Sequence, residues 1–140
     1  MSDLVLFVED SAQDVEAVRR ALRRTHPAVH LEHLPSGEGV VARLTAGALT
    51  RPRLLLLDLN LVGLSGIDVL RAVRAEASLD DLPVVVLTSS TNPRDVDACY
   101  AAGASSYLVK SVNFTLMRGA IANAVDYWLG SDASDGEPEG

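Results

Sequence analysis

The sequence predicts an α/β fold: one doubly wound parallel sheet of five strands, with five helices covering its two faces. Short, mainly apolar runs alternate along the chain with longer segments in which apolar residues recur every three or four positions. Strands of parallel sheets are buried on both faces, so they tend to be apolar throughout. Regular alternation of such strands with helices is typical of an open parallel sheet.

The predicted strands lie, in chain order, at 4–8, 30–34, 54–57, 83–87 and 106–109. Glu9 and Asp10 follow the first strand directly. The third run stops at Asp58, the fourth at Thr88 and the fifth at Lys110. Charged or hydroxyl side chains therefore stand at the carboxyl ends of four of the five strands.

The helices between these strands are indicated by apolar faces and by their ends. The apolar positions are Val15, Val18 and Leu22 in the first helix, Val40, Val41 and Leu44 in the second, Ile67, Leu70 and Val73 in the third, and Phe114, Met117, Ile121, Val125 and Trp128 in the fifth. The fourth helix is bounded by Asn92, a suitable N-cap before Pro93, and by Gly103, a suitable C-terminal cap. Ser36 is expected to cap the second helix.

One domain is predicted over residues 1–129, with a disordered acidic tail at 130–140 that is rich in glycine, serine and acidic residues. The net charge of −7 argues against nucleic acid as the main partner. No apolar run approaches the ~20 residues of a membrane helix, and we expect a cytoplasmic chain without membrane contact. Cys99 is the only cysteine, which excludes an intramolecular disulfide, and it is expected to be buried.

The polar strand ends are the candidate site. Ligands of open parallel sheets bind at the carboxyl ends of the strands, so Glu9 and Asp10, Asp58, Thr88 and Lys110 are expected to converge. Each residue alone has an ordinary explanation, since an acid after a strand often caps a helix and a lysine is usually a solvated charge. Lys110 is, however, the only lysine in the chain.

Three converging carboxylates repel one another and are rarely found together without a cation. Lys110 can neutralise one of them, and it is expected to pair with Asp58 in the resting protein. The remaining charge suggests a divalent ion with oxygen ligands, for which Mg²⁺ is the natural choice because it also binds phosphate oxygens. A divalent ion, a lysine and a hydroxyl around one aspartate are the components of a phosphoryl-transfer site.

This set of strand-end residues, in this order, resembles the receiver family of bacterial response regulators, and the resemblance covers about residues 3–129. It implies the flavodoxin-like strand order 2-1-3-4-5. It also implies a phosphorelay protein that accepts a phosphoryl group from a histidine kinase and signals to a downstream protein by a change in shape. The chain would then catalyse only its own phosphorylation and dephosphorylation.

The resemblance also implies a role for each matched residue. Asp58 would accept the phosphoryl group, Lys110 would contact its oxygens, and the Thr88 hydroxyl would bond to it after transfer. Tyr107 matches the aromatic switch residue of the family. The Mg²⁺ ion would be held by Asp10, Asp58, the carbonyl of Asn60 and, through water, Glu9.

The run 57–61 and the ending Tyr127-Trp128-Leu129 further resemble stand-alone regulators that are paired with bacterial and cyanobacterial phytochromes. This resemblance implies a phytochrome kinase as the partner and favours a homodimer. Tyr127 and Trp128 are either aromatics at the edge of the core or contacts in that dimer.

One position departs from the family. Ser111 follows Lys110 where the family usually has proline after a cis peptide bond, so either a costly cis bond is kept or the loop takes another path. The three histidines, His26, His30 and His33, are expected to lie near the second strand and away from the site.

Three rival functions remain open. A Mg²⁺-dependent phosphatase with an aspartyl-phosphate intermediate would need a second catalytic acid and a cap, but position 60 is Asn60 and no insertion is long enough for a cap. A carrier of flavin mononucleotide would need a hydroxyl-rich loop after the first strand, where this chain has Glu9 and Asp10. A receiver-like scaffold that works without phosphorylation is the third rival.

Overall fold

The computed structural model describes residues 3–47 and 50–134. The strands are β1 (Asp3–Val8), β2 (Val29–Leu34), β3 (Leu54–Asp58), β4 (Val84–Thr88) and β5 (Ser106–Val109). The helices are α1 (Ala12–Thr25), α2 (Val40–Leu44), α3 (Gly66–Ala75), α4 (Pro93–Ala101) and α5 (Phe114–Ser134), with a 3₁₀ turn at Ala77–Leu79 that the sequence did not predict.

All neighbouring strands are parallel and the sheet order is β2-β1-β3-β4-β5, which confirms the predicted fold class. The chain moves outward from β1 to β2 and then returns to place β3 on the other side of β1. This reversal opens a crevice outside the carboxyl ends of β1 and β3. Glu9 and Asp58 stand at these two strand ends.

The core consists of two layers, one on each face of the sheet. Alternate strand residues point to opposite faces, so Leu55 and Leu57 pack in the layer under α2, α3 and α4, whereas Leu54 and Leu56 pack in the layer under α1 and α5. Cys99 of α4 is fully buried in the first layer, as predicted. The helices of the two layers therefore cover both faces of the sheet.

The helix ends show which caps the sequence located correctly. Asn92 caps α4 as predicted, whereas the cap of α1, where the Ser11 hydroxyl accepts from the amide of Asp14, was not predicted. Gly103 has φ 109° and follows α4 as its C-terminal cap, with its amide bonded to the carbonyl of Tyr100. None of the helices in the described part of the chain is both long and apolar enough to cross a membrane.

The strands agree with the prediction to within one residue, but two helix boundaries differ from it. Ser36 does not cap α2, which begins only at Val40 after Gly39; φ at Gly39 is 87°, a conformation that favours glycine. Helix α5 continues to Ser134, so residues 130–134, which the sequence assigned to the tail, are helical. A helix that has already formed adds one hydrogen bond for each further residue, so weak helix formers can extend it. Residues 135–140 lie outside the described part of the chain.

Candidate functional site

Glu9 is the buried acid at the end of β1. Only 1% of its surface is exposed, while the neighbouring Asp10 faces solvent. The carboxylate of Glu9 accepts the amide of Ser11 at 3.1 Å and the ammonium of Lys110 at 3.0 Å. Asp10 instead reaches across the crevice and accepts the amide of Val62 at 3.0 Å. The two consecutive acids therefore link β1 to two different parts of the site.

Asp58 ends β3 on the other side of the crevice and is 2% exposed. Its Oδ1 atom accepts the amide of Asn60 at 3.2 Å, which fixes the carboxylate beside the loop that leads to α3. Helix α3 starts against this strand end. Its first residue, Gly66, leaves no room for a side chain: an added Cβ would lie 2.4 Å from the Asp58 carbonyl oxygen.

The three carboxylates that the sequence singled out meet in one cluster. One oxygen each from Glu9, Asp10 and Asp58 can be chosen so that all three lie within 4.8 Å of one another. Burial and, after it, the contact with Asp58 raise the pKa of Glu9, Lys110 opposes this shift, and the net pKa is about 7. The cluster therefore concentrates negative charge in a place where water cannot fully screen it.

Lys110 is the cation of the cluster, but Asp58 is not its shortest contact. Its Nζ atom lies 2.7 Å from Oδ2 of Asp14, 3.0 Å from Oε1 of Glu9 and 3.5 Å from Oδ1 of Asp58. Burial by itself would lower the pKa of Lys110, but the bonds to Asp14 and Glu9 outweigh this effect and raise it. The expected pairing with Asp58 is thus the longest of the three ion pairs, and Asp14 is a site residue that the sequence analysis missed.

Thr88 and Tyr107 are joined through the loop after β4. Thr88 is fully buried, and its hydroxyl accepts the amide of Ser90 at 3.2 Å. The Tyr107 hydroxyl donates to the carbonyl of the same Ser90 at 2.5 Å, and burial raises the pKa of Tyr107. Thr88 and Tyr107 therefore bind the amide and the carbonyl of the same loop residue.

His33 belongs to the surroundings of the site, contrary to the prediction for the three histidines. It lies on β2, and its Nε2 is 2.7 Å from the backbone carbonyl oxygen of Glu9. The amide of Glu9 donates to the carbonyl of Leu34 at 3.1 Å. The end of β2 therefore contacts both the carbonyl and the amide group of Glu9. The parallel pairing of His33 with Phe7 in the sheet register brings the ring near this strand end.

The peptide bond between Lys110 and Ser111 is trans, since the part of the chain that the structure describes contains no cis peptide bond. Of the two alternatives for this loop, the structure therefore adopts the different path. Lys110 is nevertheless anchored, because its amide donates to the carbonyl of Thr88 at 2.7 Å. This bond between β5 and β4 places the ammonium at the cluster without a proline.

Tyr127 and Trp128 lie apart from this cluster, near the end of α5. Trp128 packs against the core layer under α1 and α5, and it lines a groove of about 580 Å³ together with Pro52 and Pro83, which precede β3 and β4. The groove is therefore at the amino ends of the strands. Tyr127 is 66% exposed, and its ring meets that of Trp128 edge-on at 4.7 Å between centroids.

The donor set of the acidic cluster fits a hard divalent cation. Carboxylate oxygens are the ligands that Mg²⁺ and similar ions prefer, and the exposed Asp10 leaves the cluster open to solvent on one side. Glu9, Asp10 and Asp58 together carry more negative charge than Lys110 can neutralise. A bound dication would remove this repulsion.

Comparison with known proteins gives one consistent family. The family model of the response regulator receiver domain matches residues 5–122. The probable methanogenesis regulatory protein FilR2 of Methanothrix harundinacea is 32% identical over 136 residues, covering 95% of this chain and 88% of FilR2. Response regulator Rcp1 of Synechocystis is 35% identical over 130 residues, covering 90% of this chain and 88% of Rcp1.

Solved structures agree with this assignment. The phosphorylated cyanobacterial phytochrome response regulator RcpA superposes with a TM-score of 0.85 at 27% identity, over 94% of this chain and 96% of RcpA. The Mn²⁺-bound form of Rcp1 superposes with a TM-score of 0.81 at 34% identity, over 91% of this chain and 94% of that one. The chain therefore belongs to the receiver-domain family of response regulators, the metal-binding modules of phosphorylation-based two-component signalling.

Proposed function

We propose that this protein is a single-domain response regulator that takes a phosphoryl group from a histidine kinase onto Asp58, with Mg²⁺ as its cofactor. The observation that carries the proposal is the position of Asp58. It is the one acid of the cluster at the end of β3, the middle strand of the sheet, and its carboxylate lies within 4.8 Å of oxygens of both other acids and 3.5 Å from the ammonium of Lys110. The resemblance to Rcp1 and RcpA supports a phytochrome kinase as the donor.

In the proposed reaction a carboxylate oxygen of Asp58 attacks the phosphorus of a phosphohistidine. The new bond joins that oxygen to phosphorus, and the phosphorus–nitrogen bond breaks with its electron pair leaving on the imidazole. Hydrolysis later returns the Asp58 carboxylate and inorganic phosphate when water attacks the phosphorus. Mg²⁺, when it is bound, supplies positive charge that offsets the charge on the phosphoryl oxygens.

The surrounding residues hold the metal and the phosphoryl group. Asp10, Asp58 and the carbonyl of Asn60 are the proposed direct ligands of Mg²⁺, and Glu9 acts through water. Lys110 neutralises part of the phosphoryl charge, since its ammonium is already 3.5 Å from Asp58. The grouping of the three carboxylates with Lys110 supports this assignment, because it needs little rearrangement before reaction.

The signal leaves the site through Thr88 and Tyr107. We propose that the Thr88 hydroxyl bonds to the phosphoryl group and gives up the amide of Ser90. Because Tyr107 is bonded to the carbonyl of Ser90, the shift changes the position of its ring. The altered surface then binds a downstream protein, and a homodimer through Tyr127 and Trp128 would present two such surfaces.

Two other functions are weaker. An aspartyl-phosphate phosphatase acting on a separate substrate lacks support, because the position two residues after Asp58 is the amide Asn60 and not an acid. A scaffold that works without phosphorylation would not need three clustered carboxylates with a partly buried lysine among them. The receiver chemistry explains all of these groups together.

Acetyl phosphate with Mg²⁺ tests the proposal by intact-mass measurement. Wild type should gain one phosphoryl mass, Asp58→Asn should gain none, and Asp97→Asn, which changes an exposed aspartate of α4, should behave as wild type. Equal labelling of Asp58→Asn and wild type would overturn the assignment. Absence of labelling in wild type would favour the scaffold.

A further inference from the structure

The shortest ion pair of Lys110 is made with a residue that has no role in the proposed chemistry. Asp14 lies one turn into α1, and its Oδ2 is 2.7 Å from Nζ of Lys110. The same ammonium is 0.8 Å farther from Asp58, at 3.5 Å. Lys110 is 18% exposed and Asp14 36%, so the pair is partly shielded from solvent.

An ordinary helix-capping role does not explain this contact. Asp14 is the third residue of α1, where an acidic side chain can reach back to the amide of the N-cap residue. Here the N-cap is Ser11, and Glu9 accepts its amide at 3.1 Å instead. The carboxylate of Asp14 is turned to Lys110, which is 96 residues away in the sequence.

A second helix of the same chain shows the ordinary arrangement. Asp68 is the third residue of α3, and its amide donates to the N-cap Ser65 at 3.2 Å, as that of Asp14 donates to Ser11. The carboxylate of Asp68, however, stays on its own helix, 3.7 Å from Arg71. The position in the helix is the same, so the difference lies in the neighbour that Asp14 meets.

We propose that Asp14 is a positioning residue that holds the Lys110 ammonium on the α1 side of the pocket, so that Lys110 binds a phosphoryl group on Asp58 only by weakening its pair with Asp14. The inference rests on the proposed function of Asp58, and it adds Asp14 as a competitor for the Lys110 ammonium. A lysine ammonium is a compact charge on a flexible stem, so it can move between two carboxylates that both lie near it, here at 2.7 and 3.5 Å.

This competition opposes the phosphorylated state. A phosphoryl group carries up to about two negative charges and attracts Lys110 more strongly than one carboxylate does. The free energy needed to break the pair with Asp14 offsets part of that attraction. Asp14 therefore lowers the population of the activated form and keeps Lys110 ordered when no phosphoryl group is present.

The test uses beryllofluoride, a mimic of the phosphoryl group, at saturating Mg²⁺. Lys110 is the only lysine, so protein labelled with ¹⁵N-lysine gives a single side-chain ammonium signal. Asp14→Asn should shift this signal in the resting protein. It should also raise the affinity for beryllofluoride by roughly two- to fivefold, the size expected for a partly exposed ion pair.

Two variants control for other effects. Asp68→Asn removes one negative charge from the third position of α3, which is the position that Asp14 has in α1. It should leave both the Lys110 signal and the affinity for beryllofluoride as in wild type. Asp14→Glu keeps the carboxylate and should restore the affinity toward that of wild type. It also gives a second reading of the Lys110 signal if Asp14→Asn fails to fold.

The possible outcomes distinguish a failure of the role of Asp14 from a failure of the proposed function of Asp58. An unchanged Lys110 signal and affinity in Asp14→Asn, or an equal gain of affinity in Asp68→Asn, would overturn the role of Asp14 alone. Failure of wild type to bind beryllofluoride, or equal binding by Asp58→Asn, would overturn the proposed function and this inference with it.

Discussion

Gly66 and Asp58 approach so closely that a Cβ atom on the glycine would lie 2.4 Å from the carbonyl oxygen of the aspartate. The obstructing atom belongs to the backbone at the end of β3, so it cannot turn away as a flexible side chain could. Helix α3 and the candidate phosphorylation site can therefore come together only because residue 66 has no side chain.

Gly66→Ala should lower the free energy of unfolding by about 1–3 kcal/mol, the range for overpacking a tight contact. Urea denaturation followed by the fluorescence of Trp128, the only tryptophan, measures it. Gly119→Ala is the matched control: the glycine is exposed on α5 with nothing within 4 Å of an added Cβ. That change should stabilise the helix by about 0.5–1 kcal/mol. Equal effects of the two substitutions would contradict the packing argument.

Mg²⁺ should stabilise the folded protein because it relieves the repulsion within the acidic cluster. At a hundredfold excess over the dissociation constant the gain is about 2.7 kcal/mol for an ion that binds only the folded state. Asp10→Ala should lose the Mg²⁺-dependent rise in melting temperature, whereas Asp97→Ala should keep it. A full Mg²⁺ response in Asp10→Ala would show that the metal binds elsewhere.

Glu9 should make the metal-free protein less stable as the pH rises from about 4.5 to about 7. Its pKa is 4.5 in an ordinary environment and about 7 in the folded state, so in this window the folded protein holds a proton that the unfolded chain has lost. Stability then falls by at most about 1.4 kcal/mol per pH unit. Urea denaturation with a chelator at pH 5, 6, 7 and 8 should show a flatter dependence for Glu9→Gln.

Glu32 provides a control for that measurement, because its contribution to stability should change with pH in the opposite direction to that of Glu9. Its bonds to Arg43, at 2.6 and 2.8 Å, lower its pKa in the folded state. The stabilisation by Glu32 is therefore present above the ordinary carboxyl pKa and is lost as the pH falls through the lowered value. Glu32→Gln should cost stability at pH 7 and little at strongly acidic pH. The same pH trend for both glutamine variants would contradict the assigned causes.

Tyr107→Phe should remove the hydrogen bond to the carbonyl of Ser90 and leave the packing of the aromatic ring unchanged. The expected loss is about 0.5–1.5 kcal/mol of the free energy of unfolding, with faster amide exchange in the loop after β4. Tyr100→Phe, on the exposed face of α4, should change stability by less than about 0.5 kcal/mol. If Tyr107→Phe leaves both stability and exchange unchanged, this bond does not couple the loop to β5.

Tyr127→Ala should weaken the proposed homodimer without damage to the core. Tyr127 is 66% exposed, whereas Trp128 packs on the core layer, so truncating Trp128 would confuse dimerisation with folding. Light scattering at high micromolar concentration should give a dimer for wild type and for Tyr100→Ala, and a smaller mass for Tyr127→Ala. A monomeric wild type would rule the dimer out.

The sequence by itself determined the sheet and the residues that stand at its strand ends. Strands buried on both faces must be apolar, so the runs at 54–57 and 83–87 are visible without any structure. Asp58 and Thr88 are found in the same step, because each follows its run directly. The caps Asn92 and Gly103 were predictable for a similar reason, since they act on neighbours within a few residues.

Only the tertiary structure decided which partners these residues have. Asp14 and Lys110 are 96 residues apart, and His33 is 24 residues from Glu9, so no local pattern connects them. Asp14 has a common position for an acidic residue in the first turn of a helix, so its contact with Lys110 could not be predicted. The late start of α2 depended on the conformation of Gly39. Local propensity and burial fix where elements form, but the choice of one ion pair among several nearby carboxylates depends on differences of about an ångström, and packing alone sets those.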